Sequence, residues 1–250
     1  MESPLLREDR DRVAFLTLNR PDKLNSLNVA LFKELSAQVD VLAASTDEIE
    51  CVVLRGAGKC FSAGHDLADI SEGEELPKPN FQAEIIERLA NLPQPVIVSV
   101  HSHCYTGALE LALAGDMILC ASDAKFADTH AKWGLTPVWG LSQRLPRRVG
   151  YSRALDLMAT CRTIDGAEAV AIGLANACFP AGELDAAVQA FASSIQQNSP
   201  HSVRIAKSLL LEGADLPLGA GLANELYRSP GLGPDAQARI DSFMTRKTRS

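Results

Sequence analysis

VIVSVHSHCYTGALELALAGDMILC, residues 96 to 120, is the stretch from which the rest of the chain can be read. It opens on Val96–Val100, VIVSV, a run apolar except for Ser99 between Pro95 and His101, the pattern of a strand covered on both faces. A short apolar helix follows through 107 to 114, and Asp116–Cys120 reads as another strand. Strand, helix and strand in succession point to an α/β architecture. The 21 positions from 89 to 109 carry no Asp, Glu, Lys or Arg, yet Pro93, Gln94, Pro95, His101, Ser102 and His103 break them up, so a buried strand and a loop are expected rather than a membrane span.

The same alternation continues on the amino-terminal side. Val13–Leu18 and Cys51–Leu54 read as strands, with Leu31, Leu35, Val39 and Leu42 on one face of a helix between them. Phe81, Ile85, Ile86 and Leu89 mark the next helix, and SEGEELPKPN at 71 to 80 reads as a surface loop. After about residue 150 the strand signal gives way to helices, the clearest carrying Leu184, Val188, Phe191 and Ile195.

The 250 residues suffice for one large domain or two small ones, and 46% of them are hydrophobic. With 31 acidic against 24 basic residues the net charge is -7, which argues against nucleic acid or an anionic membrane as partner. The six cysteines (51, 60, 104, 120, 161 and 178) include no CxxC pair and read as reduced, apolar side chains of an intracellular protein. MESPLLREDRDR at the amino terminus lacks the apolar core of a secretory signal, so a cytoplasmic location is expected.

Nucleotide motifs fail on inspection. RGAGKC at 55 to 60 follows Gly58-Lys59 with Cys instead of Ser or Thr, and the third glycine of a GxGxxG is Phe61; a turn is the better reading. His101 and His103 alternate on an extended stretch but lack a third ligand, so no metal site is expected.

Two segments carry more: Phe61-Ser-Ala-Gly-His-Asp-Leu67 and Tyr105-Thr-Gly-Ala-Leu-Glu-Leu-Ala-Leu113 each place a glycine just past an apolar strand. Thr106 is positioned to cap a helix whose first turn holds Gly107, leaving an N–H at the positive end of the dipole for developing negative charge. That is half of an oxyanion hole. Glu110 lies one helical turn on, where a carboxylate in so apolar a run is costly unless paired or used in chemistry.

LNRPDKLNSLN at 18 to 28, VVLRGAGKCFSAGHDLADI at 52 to 70, TGALELALAGDMILCASDAKFADTH at 106 to 130 and GLTPVWGLSQRLPRRVG at 134 to 150, in that order, resemble the enoyl-CoA hydratase/isomerase or crotonase family. The resemblance implies a crotonase-like spiral of ββα units over residues 1–190, holding CoA and the active site, with a helical carboxy-terminal trimerisation region over 191–250. It implies an acyl-CoA thioester as substrate, no separate cofactor, and a homotrimer or dimer of trimers. By match, the thioester oxygen would be held by the backbone N–H groups of His65 and Gly107. CoA would run along Ala63, Gly64, His65, Asp66 and Leu67, with Lys23 and Leu24 beside the pantetheine and phosphates. Phe243 and Arg246 match positions that touch CoA from a neighbouring subunit.

Hydratases of the family use two glutamates. Glu110 matches the first, and the second falls on His130. Imidazole, with an ordinary pKa of about 6.5, can exchange a proton at neutral pH, so a Glu110/His130 pair can serve the addition of water. Isomerisation needs only one base, and decarboxylation needs no second acid. A CoA-thioester binding protein without chemistry is the rival from another class. Asp128 and Ser142 could complete a triad with His130, but no nucleophile elbow surrounds Ser142, and Asp128 reads as a local cap or ion pair. Trp133 and Trp139 are candidates for the acyl pocket or for core packing.

Overall fold

The computed structural model describes residues 2–247. β1 (Leu5–Arg10) and β2 (Val13–Leu18) form an antiparallel hairpin, turning through Asp11 and Arg12, both at positive φ. β2 then pairs in parallel with β3 (Cys51–Gly56), β3 with β4 (Val96–Val100), and β4 with β6 (Met117–Ala121). β9 (Ala177–Phe179) joins β6 and completes a six-stranded sheet in the order β1-β2-β3-β4-β6-β9. Three short strands, β5 (His103–Tyr105), β7 (Lys125–Ala127) and β8 (Ile164–Asp165), make a second sheet.

The expectation that the central strands are covered on both faces holds, and the period of two shows how. Ala14, Leu16, Val52, Leu54, Val96, Val98 and Ile118 point into one core, under α1 (Val29–Ala44) and α3 (Phe81–Ala90). Val13, Phe15, Cys51, Val53, Ile97 and Leu119 point into a second core. α8 (Leu184–Gln196) covers that second core with Leu184, Val188 and Ala192. Residue 190, expected as a boundary, falls inside α8.

Two expectations need correction. Strand structure does not end near 150, because β8 and β9 lie beyond it; each is only two or three residues, too short to print a period. The segment around 71 is not loop throughout, since α2 (Leu67–Glu72) runs into it and stops at Gly73, in the left-handed conformation at φ 81°.

The remaining helices are α4 (Gly107–Ala112), α5 (Leu141–Val149), α6 (Tyr151–Thr160), α7 (Gly166–Ala171), α9 (Pro200–Gly213), α10 (Leu218–Arg228) and α11 (Ala236–Lys247). α9 is fastened to the sheet by Lys207, whose Nζ donates to Asp116 Oδ2 at 2.7 Å and to the Gln94 carbonyl at 3.0 Å. Among the described residues no helix is long and apolar enough to cross a membrane.

Candidate active site

The site grows from the carboxyl ends of β3 and β4, the edge where parallel sheets carry their ligands. The segments leaving those strands are laced together: Phe61 N donates to the His101 carbonyl, Ser62 N to that of His103, and Ser62 bridges Cys104 in parallel. His65 is three residues past Ser62 and Gly107 three past Cys104, so equal steps from one bridge bring the two residues side by side. A methyl group on Gly107 would lie 3.2 Å from the His65 nitrogen and 2.6 Å from the Trp139 ring. Gly64 makes the approach work: its φ is +102°, and a β carbon there would sit 2.6 Å from the Tyr105 carbonyl oxygen.

Among the described residues neither the His65 nor the Gly107 N–H has a protein acceptor. Around His65 the main-chain bonds use its neighbours, Gly64 O and Asp66 N, which pair with Leu27. Gly107 opens α4, where a helical N–H has no intrahelical partner.

The expected Thr106 side-chain cap is not made. The Thr106 hydroxyl instead accepts from Thr129 N at 3.1 Å and bonds the Thr129 hydroxyl, and Thr106 itself is held at φ 52°, an uncommon conformation for a β-branched residue. That twist turns the following peptide, and so its N–H, into the cavity.

Glu110, on the first turn of α4, is 1% exposed. Its Oε1 accepts from Trp139 N at 2.9 Å and Leu141 N at 3.1 Å. Burial pushes its carboxyl above the usual carboxylate range, and the Leu141 N–H, the adjacent His130 and the Trp139 N–H offset part of this. Oε2 faces His130 Nε2 at 3.7 Å. On the far side of that ring, Nδ1–H donates to Asp128 Oδ1 at 2.6 Å, the same oxygen accepting from His130 N at 3.2 Å. Asp128 therefore both caps the turn and pairs with the imidazole.

These groups face a cavity of about 380 Å³. Ala63, His65 and Gly107 form its donor side, Thr129, His130 and Glu110 its acid–base side, and Leu67, Ile70, Leu135, Val138 and both tryptophans its apolar wall. Trp139 is nearly buried, edge-on to Phe32 and tilted over the His65 ring at 4.7 Å, whereas Trp133 is largely exposed. Pocket and core, the two alternatives for Trp139, are thus both true.

Other sequence candidates lie elsewhere. Gly64 shapes the loop, and the Asp66 carboxylate is occupied by Arg20, Ser26 and the N–H of Ala68. Lys23 and Leu24 occupy an exposed turn outside the cavity lining, joined to it through Ala63 N donating to the Leu24 carbonyl. Phe243 is exposed on α11, far along the chain from this lining, and the side chain of Arg246 lies outside the described residues. Ser142 is exposed and absent from the lining, so there is no triad with Asp128 and His130. His101 bonds the Gly58 carbonyl and His103 stacks on Tyr105. Five of the six free cysteines are buried, and burial pushes the Cys51 thiol up to about 12, far from reactive.

Sequence reasoning missed the clamp on Glu110 by main-chain N–H groups, which no side-chain pattern announces. The reading of Asp128 as a local cap or ion pair fits its contacts, since it bonds both the main-chain and the ring nitrogen of His130.

The profile described as Enoyl-CoA hydratase/isomerase matches residues 8–231. A short-chain-enoyl-CoA hydratase of Clostridium acetobutylicum is 32% identical over 88% of this chain and 86% of its own length. The enoyl-CoA hydratase of Bacillus anthracis superposes with a TM-score of 0.91 at 30% identity, covering 97% of this chain and 96% of that one. A chain from Thermobifida fusca solved in complex with acetoacetyl-CoA superposes at 0.83 with 27% identity, covering 96% of each. Laced loops, adjacent main-chain donors and a buried glutamate on the following helix thus accompany similarity along nearly the whole length, and the chain belongs to the enoyl-CoA hydratase/isomerase (crotonase) family.

Proposed function

We propose that the protein adds water to a trans-2-enoyl-CoA thioester, with Glu110 as the base and His130 as the acid. One observation carries the reading: Glu110 Oε2 and His130 Nε2 lie 3.7 Å apart beside two unengaged main-chain donors. A water can bond both atoms at ordinary lengths of about 2.8 Å.

The thioester oxygen accepts from the His65 and Gly107 N–H groups, which draws electrons from the β carbon. As the water oxygen bonds that carbon, Glu110 takes its proton and the electron pair of the double bond moves onto the thioester oxygen. The two donors stabilise the enolate, each contributing about 3 kcal/mol. Collapse of the enolate then takes a proton at the α carbon from His130 Nε2. Both groups lie on one side of the substrate, so addition is syn. The proton on Glu110 returns to His130 through the next water, and the balance is one water added.

CoA leaves the cavity past Ala63 and Leu67, towards Lys23 and Leu24, with Phe243 and Arg246 supplied by a neighbouring subunit of a homotrimer or dimer of trimers. Gly64 and Asp66 shape this path from behind. CoA belongs to the substrate, no separate cofactor is used, and the protein works in the cytoplasm.

Crotonyl-CoA tests the reading: enoyl thioester absorbance falls and the product gains the mass of one water. Glu110→Gln abolishes this, and retention of full rate would remove Glu110 as the base. Turnover of a 3-enoyl-CoA alone would favour double-bond isomerisation, for which Glu110 and the donor pair suffice. Loss of carbon dioxide from a malonyl-type thioester would indicate decarboxylation. Binding without any turnover would make it a CoA-thioester binding protein.

A further inference from the structure

We infer that Asp128 is a positioning residue for the proton transfer, acting through His130: it fixes which ring nitrogen faces the cavity and how the imidazole is oriented there. The inference rests on the assignment of His130 as the acid and extends it to a group that does not touch substrate.

A carboxylate only accepts, so the 2.6 Å bond from His130 Nδ1 to Asp128 Oδ1 places a hydrogen on Nδ1. The neutral ring then has a bare Nε2, directed at a second carboxylate, Glu110. Nε2 is thereby the nitrogen presented to the cavity, 3.7 Å from Glu110 Oε2, where a proton can pass between the ring and a substrate or water.

The ring also cannot turn over. Asp128 Oδ1 holds both the main-chain and the side-chain nitrogen of the same residue, which sets the imidazole plane relative to the backbone.

The charged groups facing the ring are Glu110 from α4 and Asp128 from the segment after β7. Lys132, on the same turn, is exposed. α6 packs against this turn and carries Arg153, which is exposed, and Asp156, which pairs with Arg162. Neither makes an ion pair with His130 among the described residues.

Asp128→Asn tests the inference because it keeps the shape and the chance of a cap while removing the charge. With crotonyl-CoA, kcat should fall about 10- to 100-fold with KM little changed, a part of the effect usual for an acid–base group. Nitrogen NMR of histidine-labelled protein should show the hydrogen of His130 on Nδ1 in the wild type and that signature lost in Asp128→Asn, a change that a purely structural cap would not produce. In a His130→Ala background, Asp128→Asn should cost nothing further, since its effect runs through the ring.

An unchanged kcat and ring signature, or a full additional loss in the His130→Ala background, would overturn the inference while hydration stands. If wild-type protein does not hydrate crotonyl-CoA, the functional reading fails, and nitrogen NMR of histidine-labelled resting protein decides the positioning role by itself. A His130 ring protonated at Nδ1 that loses this pattern in Asp128→Asn supports it; an identical ring signature in both proteins overturns it. Asp128→Ala, checked for folding by circular dichroism, should show the same loss of the Nδ1 signature and guards against a new bond from the asparagine amide.

Discussion

Glu110 is costly where it stands, and the cost has a sign. Burial raises its carboxyl above the usual carboxylate range. In the pH window between the unfolded and the raised folded value, the native protein therefore binds more protons than the unfolded chain. Stability falls as pH rises through that window, and the deficit persists at neutral pH. Gln is neutral and its Oε1 can still accept from Trp139 N and Leu141 N. Glu110→Gln should thus stabilise by about 1 kcal/mol while abolishing turnover, raising Tm by about 2 to 4 °C in thermal unfolding. The same raised value should place the acid limb of kcat above the ordinary glutamate value of about 4.3, since a base is lost on protonation. His130→Ala should lower hydration by about 10²-fold or more, and an unchanged rate would leave it as a cavity wall. Gly64→Ala is expected to destabilise by about 1 to 3 kcal/mol and to reduce kcat, because its φ of +102° and the Tyr105 carbonyl leave no room for a β carbon. Urea unfolding and steady-state kinetics would check both effects.

At the scale of elements, α9 is tied down by the buried Lys207 paired with Asp116 and by Arg204 donating to the Thr46 carbonyl. Burial pulls the Lys207 ammonium below its usual range while Asp116 pushes back, so the pair balances a cation that is 8% exposed. Asp116→Asn removes the partner, and also a carboxylate that accepts from Val96 N. Destabilisation of about 3 kcal/mol is expected, and Lys207→Met, which removes the cation itself, should cost less in the same urea titration. The helices here were legible because their buried residues repeat over many turns, as Leu31, Leu35, Val39 and Leu42 do on α1. β2, β3 and β4 were legible as apolar runs. β1 was not, since LLREDR is an edge strand whose charges face water. β5 and β7 span three residues each, and their pairing follows from contacts distant in sequence. The chemistry divides in the same way: side chains such as Glu110 and His130 stand out in the sequence, whereas the place where two N–H groups meet depends on the Ser62–Cys104 bridge.

For the whole molecule, the apolar surface of the carboxy-terminal helices bears on assembly. Leu218, Leu222 and Leu226 recur every four residues on α10, all well exposed, with Tyr227 beside them. A stripe of that size calls for a covering partner, and the proposed trimer supplies one. Leu222→Glu with Leu226→Glu should shift the protein from trimer to monomer in light scattering. If CoA is shared between subunits, KM for crotonyl-CoA should rise in the monomer while the sheet, whose two cores exclude α10, keeps its circular dichroism.

The two donors proposed to hold the thioester oxygen are peptide groups, which bears on how this enzyme can diversify. A codon change at position 65 replaces an imidazole but leaves its N–H in place. The proposed means of activating a thioester is therefore sheltered from most point mutations, while positions 110, 128 and 130, to which the proposed mechanism assigns the proton chemistry, are each one substitution from a different repertoire. A lineage can try new reactions on the same activated carbonyl without first relearning how to hold it.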